Sequence, residues 1–78
     1  MNLPLARKII GEAEAQPFGF LRVRGRELAH EVHLMAQAGL VKATESNEPD
    51  PTEAVITEIT HAGRQFSRAF RNVRGGLN

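Results

Sequence analysis

The chain has 78 residues and no cysteine, so neither a disulfide bond nor a thiolate-bound metal can hold it together. A chain of this size buries only about two thirds of the surface that its unfolded form exposes, which leaves room for a single core. Every amphipathic segment must therefore pack its apolar side against that one core. We expect a single domain over residues 1–78, with a frayed tail at 75–78.

Three segments show the helical period of 3.6 residues, with apolar side chains gathered on one side. They cover about residues 3–15, about residues 26–38, and the region after Thr60. The residues expected to cap or stop these helices are Asn2, Pro17, Gly39 and Thr60. The apolar residues expected to share one core are Ile9, Ile10, Leu28, Val32, Met35, Leu40, Ile56, Ile59, Phe66 and Phe70.

Three further segments have the pattern of β-strands. Residues 18–24 end in an alternation of apolar and basic side chains, which predicts a short half-buried strand. A second strand begins at Leu40, and the β-branched residues of 54–59 form the returning strand. Residues 45–52 are a loop by composition, which places the tip of a β-hairpin near 47–51. The predicted class is α+β, in the order helix, strand, helix, β-hairpin, helix.

Two motifs in this order resemble parts of winged-helix proteins. Residues 33–41 (His-Leu-Met-Ala-Gln-Ala-Gly-Leu-Val) resemble the end of a recognition helix and the first wing strand. Residues 59–66 (Ile-Thr-His-Ala-Gly-Arg-Gln-Phe) resemble the Leu-Thr-x-x-Gly-x-x-Phe motif that closes the wing and opens the next helix. Over nearly its whole length the chain resembles a family of short winged-helix-like proteins of unknown function found in bacteria and their phages. The resemblance implies a winged-helix-like fold.

The same resemblance does not imply DNA binding. Like that family, the chain has only about ten residues between its first helix and the helix before the wing, too few for a helix-turn-helix. It also has His30 and Glu31 where members of the family tend to carry an aromatic residue and a histidine. Function must therefore be argued from the side chains themselves.

Acidic and basic residues are segregated along the chain, although the net charge is only +1. The acids between residues 43 and 60 are Glu45, Glu48, Asp50, Glu53 and Glu58, with no base among them. After residue 60 the only charged residues are the arginines Arg64, Arg68, Arg71 and Arg74. A second basic group consists of Arg22, Arg24 and Arg26. We expect the acidic wing to be repelled by DNA.

The arginines are the strongest candidates for a binding site. Arg64, Arg68 and Arg71 fall on one side of the third helix, where they could neutralise phosphates. A solvated helix face explains the same pattern equally well. The candidate residues for binding nucleic acid or a partner are Arg22, Arg24, Arg26, Gln37, Arg64, Arg68, Arg71 and Arg74, with Gln37 suited to an adenine edge.

No enzyme, metal or cofactor site is expected. His30 and His33 share the exposed face of one helix, but no third and fourth ligand lie near them in the sequence. Ser46 and Ser67 have no evident histidine and carboxylate partners, and no glycine-rich phosphate loop is found. No signal peptide or membrane span is evident either, which predicts a cytoplasmic protein.

Two functions stay open on this evidence. The first is a nucleic-acid-binding or regulatory accessory protein of bacterial, phage or mobile-element origin, with a homodimer as one possible form. The second is a protein-interaction module, for example a phage factor that docks on a host protein. A small enzyme or metal protein is the least favoured class.

Overall fold

The computed structural model describes residues 1–46 and 50–77, with side chains described for residues 1–46 and 50–70. The elements in chain order are α1 (Leu3–Glu14), a 3-10 turn (Pro17–Gly19), β1 (Leu21–Arg24), α2 (Arg26–Gln37), β2 (Val41–Glu45), β3 (Glu53–Ile59) and α3 (His61–Leu77). The predicted α+β class and the order helix, strand, helix, β-hairpin, helix are confirmed. None of the helices in the described part of the chain is both long and apolar enough to cross a membrane.

The sheet has three antiparallel strands in the order β1-β3-β2, so β3 lies in the middle. Leu21 of β1 lies opposite Ile56 of β3, and Val41 of β2 lies opposite Ile59. A bulge between Lys42 and Ala43 shifts the register of the hairpin by one residue. Helix α2 lies against the inner face of this sheet and contacts all three strands.

One core joins α1, α2 and the sheet. Its buried apolar members are Ala6, Ile9, Ile10, Ala13, Val23, Ala29, Val32, Met35, Leu40, Val41, Ala54, Ile56 and Ile59. Leu28 and Phe66 are partly buried and pack against this cluster. Most of the predicted core is thereby confirmed.

Phe70 is the exception, because it lies at the rim of the domain and not in the core. It packs edge-to-face on Phe66 with ring centroids 4.9 Å apart, and the guanidinium of Arg7 lies 5.4 Å from its ring centroid. Helix α3 packs mainly along α1 and makes fewer contacts with β3. Phe70 lies one turn beyond Phe66 on the same side of α3, where it meets the side of α1 and is only half-buried.

Two element boundaries differ from the predicted ones. The first strand begins at Leu21, because Phe18 and Gly19 adopt left-handed φ angles of 62° and 74° that are incompatible with a strand. The last helix continues to Leu77 and so includes most of the tail 75–78, whose fraying stays a prediction. Asn78 and the predicted hairpin-tip residues 47–49 lie outside the described residues.

The predicted caps are confirmed. The Asn2 side chain accepts a hydrogen bond from the Leu5 amide at 3.1 Å, which begins α1. Gly39 has a φ of 81° and ends α2 in the left-handed conformation. The Thr60 hydroxyl accepts a hydrogen bond from the Gly63 amide at 3.0 Å, which begins α3.

The residues that carry the winged-helix resemblance form one structural joint. The hydroxyl of Thr60 lies 2.6 Å from the Gly39 carbonyl oxygen and 2.9 Å from the Leu40 carbonyl oxygen, so its single hydrogen is shared between these two acceptors. The amide of Thr60 also donates to Leu40, at 3.1 Å. Gly63 then brings the first turn of α3 directly against the Leu40 carbonyl. The motif thus connects the end of α2 to the start of α3, so packing accounts for it without any role in binding.

Gly11 offers a simple test of helix stability. It lies inside α1 on the exposed side, and no heavy atom would come within 4 Å of a Cβ added there. Because glycine loses more backbone entropy in a helix than alanine, Gly11→Ala should raise the free energy of unfolding by about 0.5–1 kcal/mol. Urea denaturation followed by circular dichroism would measure the change. A lower midpoint for the variant would contradict the open surroundings of Gly11.

Candidate nucleic-acid interface

Arg64 and Arg68 lie one turn apart on the exposed side of α3. They are about 40° apart around the helix and about 6 Å apart along it, at 1.5 Å per residue. Phe66 lies on the opposite side of the helix, and the buried Ser67 hydroxyl donates to a Glu14 carboxylate oxygen of α1 at 2.6 Å. This packing of α3 on α1 directs both arginines away from the domain. Neither arginine has an ion-pair partner among the described residues.

Two further candidate arginines are on the same helix. Arg71 and Arg74 lie within α3, but their side chains are outside the part that the structure describes. Their proposed role in binding stays a prediction.

The arginines of the first third of the chain are differently placed, because each lies beside an acid. Arg22 and Arg24 share the carboxylate of Glu53, with Nε–O distances of 3.8 and 3.9 Å. The Nε of Arg26 lies 3.5 Å from a carboxylate oxygen of Asp50. The antiparallel register of β1 with β3 produces the two contacts with Glu53, since Arg24 lies directly opposite Glu53. These arginines are therefore partly neutralised in the fold.

The acids of the hairpin are likewise paired within the described residues. Besides Asp50 and Glu53, Glu58 lies 3.7 Å from the ammonium of Lys42, its neighbour across the hairpin. Glu45 points to the inner side, where its carboxylate lies 2.7 Å from Nδ1 of His33. Glu48 is outside the described residues. Folding therefore brings a base or an imidazole to each described acid, which weakens the expected repulsion of DNA, and that repulsion stays a prediction.

His33 is not the solvated histidine that its helix position suggests. Its side chain is 24% exposed and that of Glu45 only 7% exposed, so the pair is mostly shielded from water. Its ring also stacks on that of His30, with centroids 6.4 Å apart. The sequence could not reveal this pair, because it depends on which face of β2 packs against α2.

Glu31 is a second buried acid that the sequence pattern did not single out. It is 4% exposed, on α2, and its carboxylate accepts a hydrogen bond from the Asn2 amide at 3.1 Å. An acid at the amino end of α1 is favourably placed in the field of that helix. The sequence feature that could have identified Glu31 as buried is its position beside Val32 on the inner side of α2.

The remaining candidate, Gln37, is exposed at the end of α2. Arg26 is the only arginine of α2, and it is the one paired with Asp50. Direct reading of base edges by this helix would therefore rest on Gln37 and His30. Among the described residues, no group of three or more His, Cys, Asp or Glu side chains is arranged to hold a metal ion.

Compared with known proteins, the chain matches no family model, no curated protein and no solved structure. The case for a function therefore depends on the geometry of the chain alone.

Proposed function

We propose that this chain is a small, non-enzymatic, winged-helix-like module of bacterial, phage or mobile-element origin that binds nucleic acid in the cytoplasm. Phosphate contacts come from the exposed arginine face of α3, formed by Arg64 and Arg68 and extended along the helix by Arg71 and Arg74. The observation that carries the proposal is the unpaired state of Arg64 and Arg68 among the described residues. An unpaired, one-sided set of arginines is the arrangement that neutralises phosphates along a backbone.

Charge pairing elsewhere supports the choice of α3. Around the hairpin, four cations lie beside three carboxylates, and a fourth carboxylate, that of Glu45, contacts His33. These contacts offset most of the charge of the described residues of this region, which weakens their attraction or repulsion of a distant polyanion. Arg64 and Arg68 of α3 have no such partner among the described residues, so they are more available to a polyanion than the paired arginines.

The element order supports the winged-helix-like part of the proposal. Helix α2 directly precedes the hairpin, as a recognition helix precedes a wing, and β1 completes the sheet beside β3. The segment between α1 and α2 holds only the 3-10 turn and β1, so the first helix of a helix-turn-helix is missing. Binding is therefore expected to depend on the phosphate backbone and to discriminate weakly between sequences.

Salt dependence is the decisive measurement for this function. We expect a short labelled DNA duplex to bind the wild-type chain with an affinity that falls steeply as salt is raised. The double substitution Arg64→Gln with Arg68→Gln should lower the slope of log K against log salt by about 1.8, since each phosphate contact contributes about 0.9. Fluorescence anisotropy over a range of salt concentrations gives both slopes.

A matched control removes the same charge from the other arginine group. Arg22→Gln with Arg24→Gln also deletes two cations, but these already share Glu53, so the slope should change less. An α3 variant that binds DNA like the wild type would contradict the proposed interface. Absence of salt-dependent binding by the wild type would contradict the function itself and favour the protein-interaction module.

A further inference from the structure

A second surface, separate from α3, is formed by the 3-10 turn and the strand that follows it. Phe18 is 90% exposed and Phe20 is 53% exposed, so two of the four phenylalanines of the chain present their rings to solvent. Both residues adjoin β1, which begins at Leu21. Scattered apolar side chains are ordinary on a protein surface, but here two aromatic rings occur within three residues.

The backbone conformation at residue 18 is a second reason why folding alone does not explain a phenylalanine there. Its φ of 62° and ψ of 8° lie in the left-handed region, which is unfavourable for a bulky residue. Glycine or asparagine would form this turn with less strain. Since the ring of Phe18 is almost fully exposed, no burial within the domain offsets that cost. Strain of this kind, held at an exposed aromatic residue, points to a contact outside the domain.

Strand β1 provides the second observation, because it lies at the edge of the sheet. It pairs with β3 on one side, and within the described residues no strand pairs with its other side. A free edge leaves backbone amides and carbonyls ready to bind an extended segment, with main-chain bonds supplying affinity and flanking side chains supplying selectivity. Phe18 and Phe20 lie at the start of that edge.

The charges of β1 indicate the chemistry of the partner. Arg22 and Arg24 have side chains 60% and 73% exposed, and they share the single carboxylate of Glu53. One positive charge is therefore left over on this strand. A second copy of β1 would add two more arginines to the same edge, which like-charge repulsion disfavours. A strand with acidic side chains fits instead.

We propose that the β1 edge binds an extended, acidic segment of a partner protein by strand addition, with Phe18 and Phe20 as the apolar anchors. Backbone hydrogen bonds extend the sheet to a fourth strand. Arg22 and Arg24 select acidic side chains on the partner, and the two rings cover its apolar ones. This surface is independent of the arginine face of α3, so both can act in the same molecule.

A synthetic peptide of alternating Glu and Val is a suitable probe, because strand addition depends mainly on the peptide backbone. Titrated into the isotope-labelled chain, it should shift the amide resonances of Phe18 to Arg24 and leave those of α3 unchanged. The same peptide methylated at alternate backbone nitrogens should bind at least tenfold more weakly, and so should a peptide of alternating Lys and Val. Equal binding of all three peptides, or no binding of the acidic one, would overturn the proposal.

The variant Phe18→Asn isolates the role of the aromatic anchor from folding. Asparagine accepts the left-handed conformation, so this variant should unfold at the same or a higher temperature than the wild type. Combined with Phe20→Ser, it should weaken binding of the acidic peptide at least tenfold, whereas Arg64→Gln with Arg68→Gln should leave peptide binding unchanged. Unchanged peptide binding by the phenylalanine variant would overturn the proposal. So would wild-type self-association that Phe18→Asn abolishes, since it would assign the surface to a second copy.

Discussion

Gly63→Ala is expected to lower the free energy of unfolding by about 4 kcal/mol or more, which is a large part of the stability of a small domain. A Cβ at this position would overlap the carbonyl oxygen of Leu40 and lie 3.0 Å from Cγ2 of Ile59. The Leu40 carbonyl cannot retreat easily, because it also accepts hydrogen bonds from the amide and hydroxyl of Thr60. Chemical denaturation followed by circular dichroism would measure the loss.

Gly11→Ala serves as the matched control for this experiment, because it is the same substitution in an exposed part of α1. Its expected effect has the opposite sign. A Gly63→Ala variant that unfolds within about 1 kcal/mol of the wild type would show that α3 can shift away from Leu40 at little cost. The tight joint between α2 and α3 would then be wrong as an explanation of the Thr-x-x-Gly motif.

His33→Ala is expected to lower the free energy of unfolding by about 3 kcal/mol, because it leaves the carboxylate of Glu45 without its partner in a mostly buried site. The Glu45 side chain is only 7% exposed, and its oxygen lies 2.7 Å from Nδ1 of His33. The contact also joins α2 to β2, so its loss should loosen the hairpin first. Urea denaturation measures the stability, and amide hydrogen exchange in β2 reports on the hairpin.

A double-mutant cycle separates the pair from the effect of each side chain alone. Glu45→Ala should lower the free energy of unfolding by less in the His33→Ala background than in the wild type, because there it removes an acid that has already lost its partner. His30→Ala is the matched control, since His30 stacks on His33 but is exposed and should cost less than about 1 kcal/mol. Purely additive effects in the cycle would show that the contact between His33 and Glu45 contributes nothing to stability.

Local patterns were enough to predict the elements of this fold. Asn2, Gly39 and Thr60 cap helices through interactions with their near neighbours, or through a backbone conformation that one residue type favours. The alternation of Leu21 and Val23 with arginines follows from the two-residue period of a strand. Such features depend on residues close together in the chain, so the sequence alone determines them.

The candidate site could be predicted only in part for the same reason. The exposed position of Arg64 and Arg68 follows from the helical period, and the structure places both where that period predicts. The ion pairing of the other arginines could not be predicted, because a sequence shows how many charges there are but not which of them lie close together in the fold. Strand register brings Glu53 to Arg22 and Arg24, and the packing of β2 on α2 buries Glu45 beside His33.

Tertiary structure also determined which phenylalanines are buried. All four belong to apolar segments, yet only Phe66 packs against the core. The left-handed turn at Phe18 and Gly19 directs Phe18 to solvent, and the path of α3 along α1 leaves Phe70 at the rim. Burial depends on which surfaces a chain has available after its elements have packed. In a domain with a single small core, α1, α2 and the sheet fill most of that space, and no periodicity in the sequence shows which aromatic rings will be left outside.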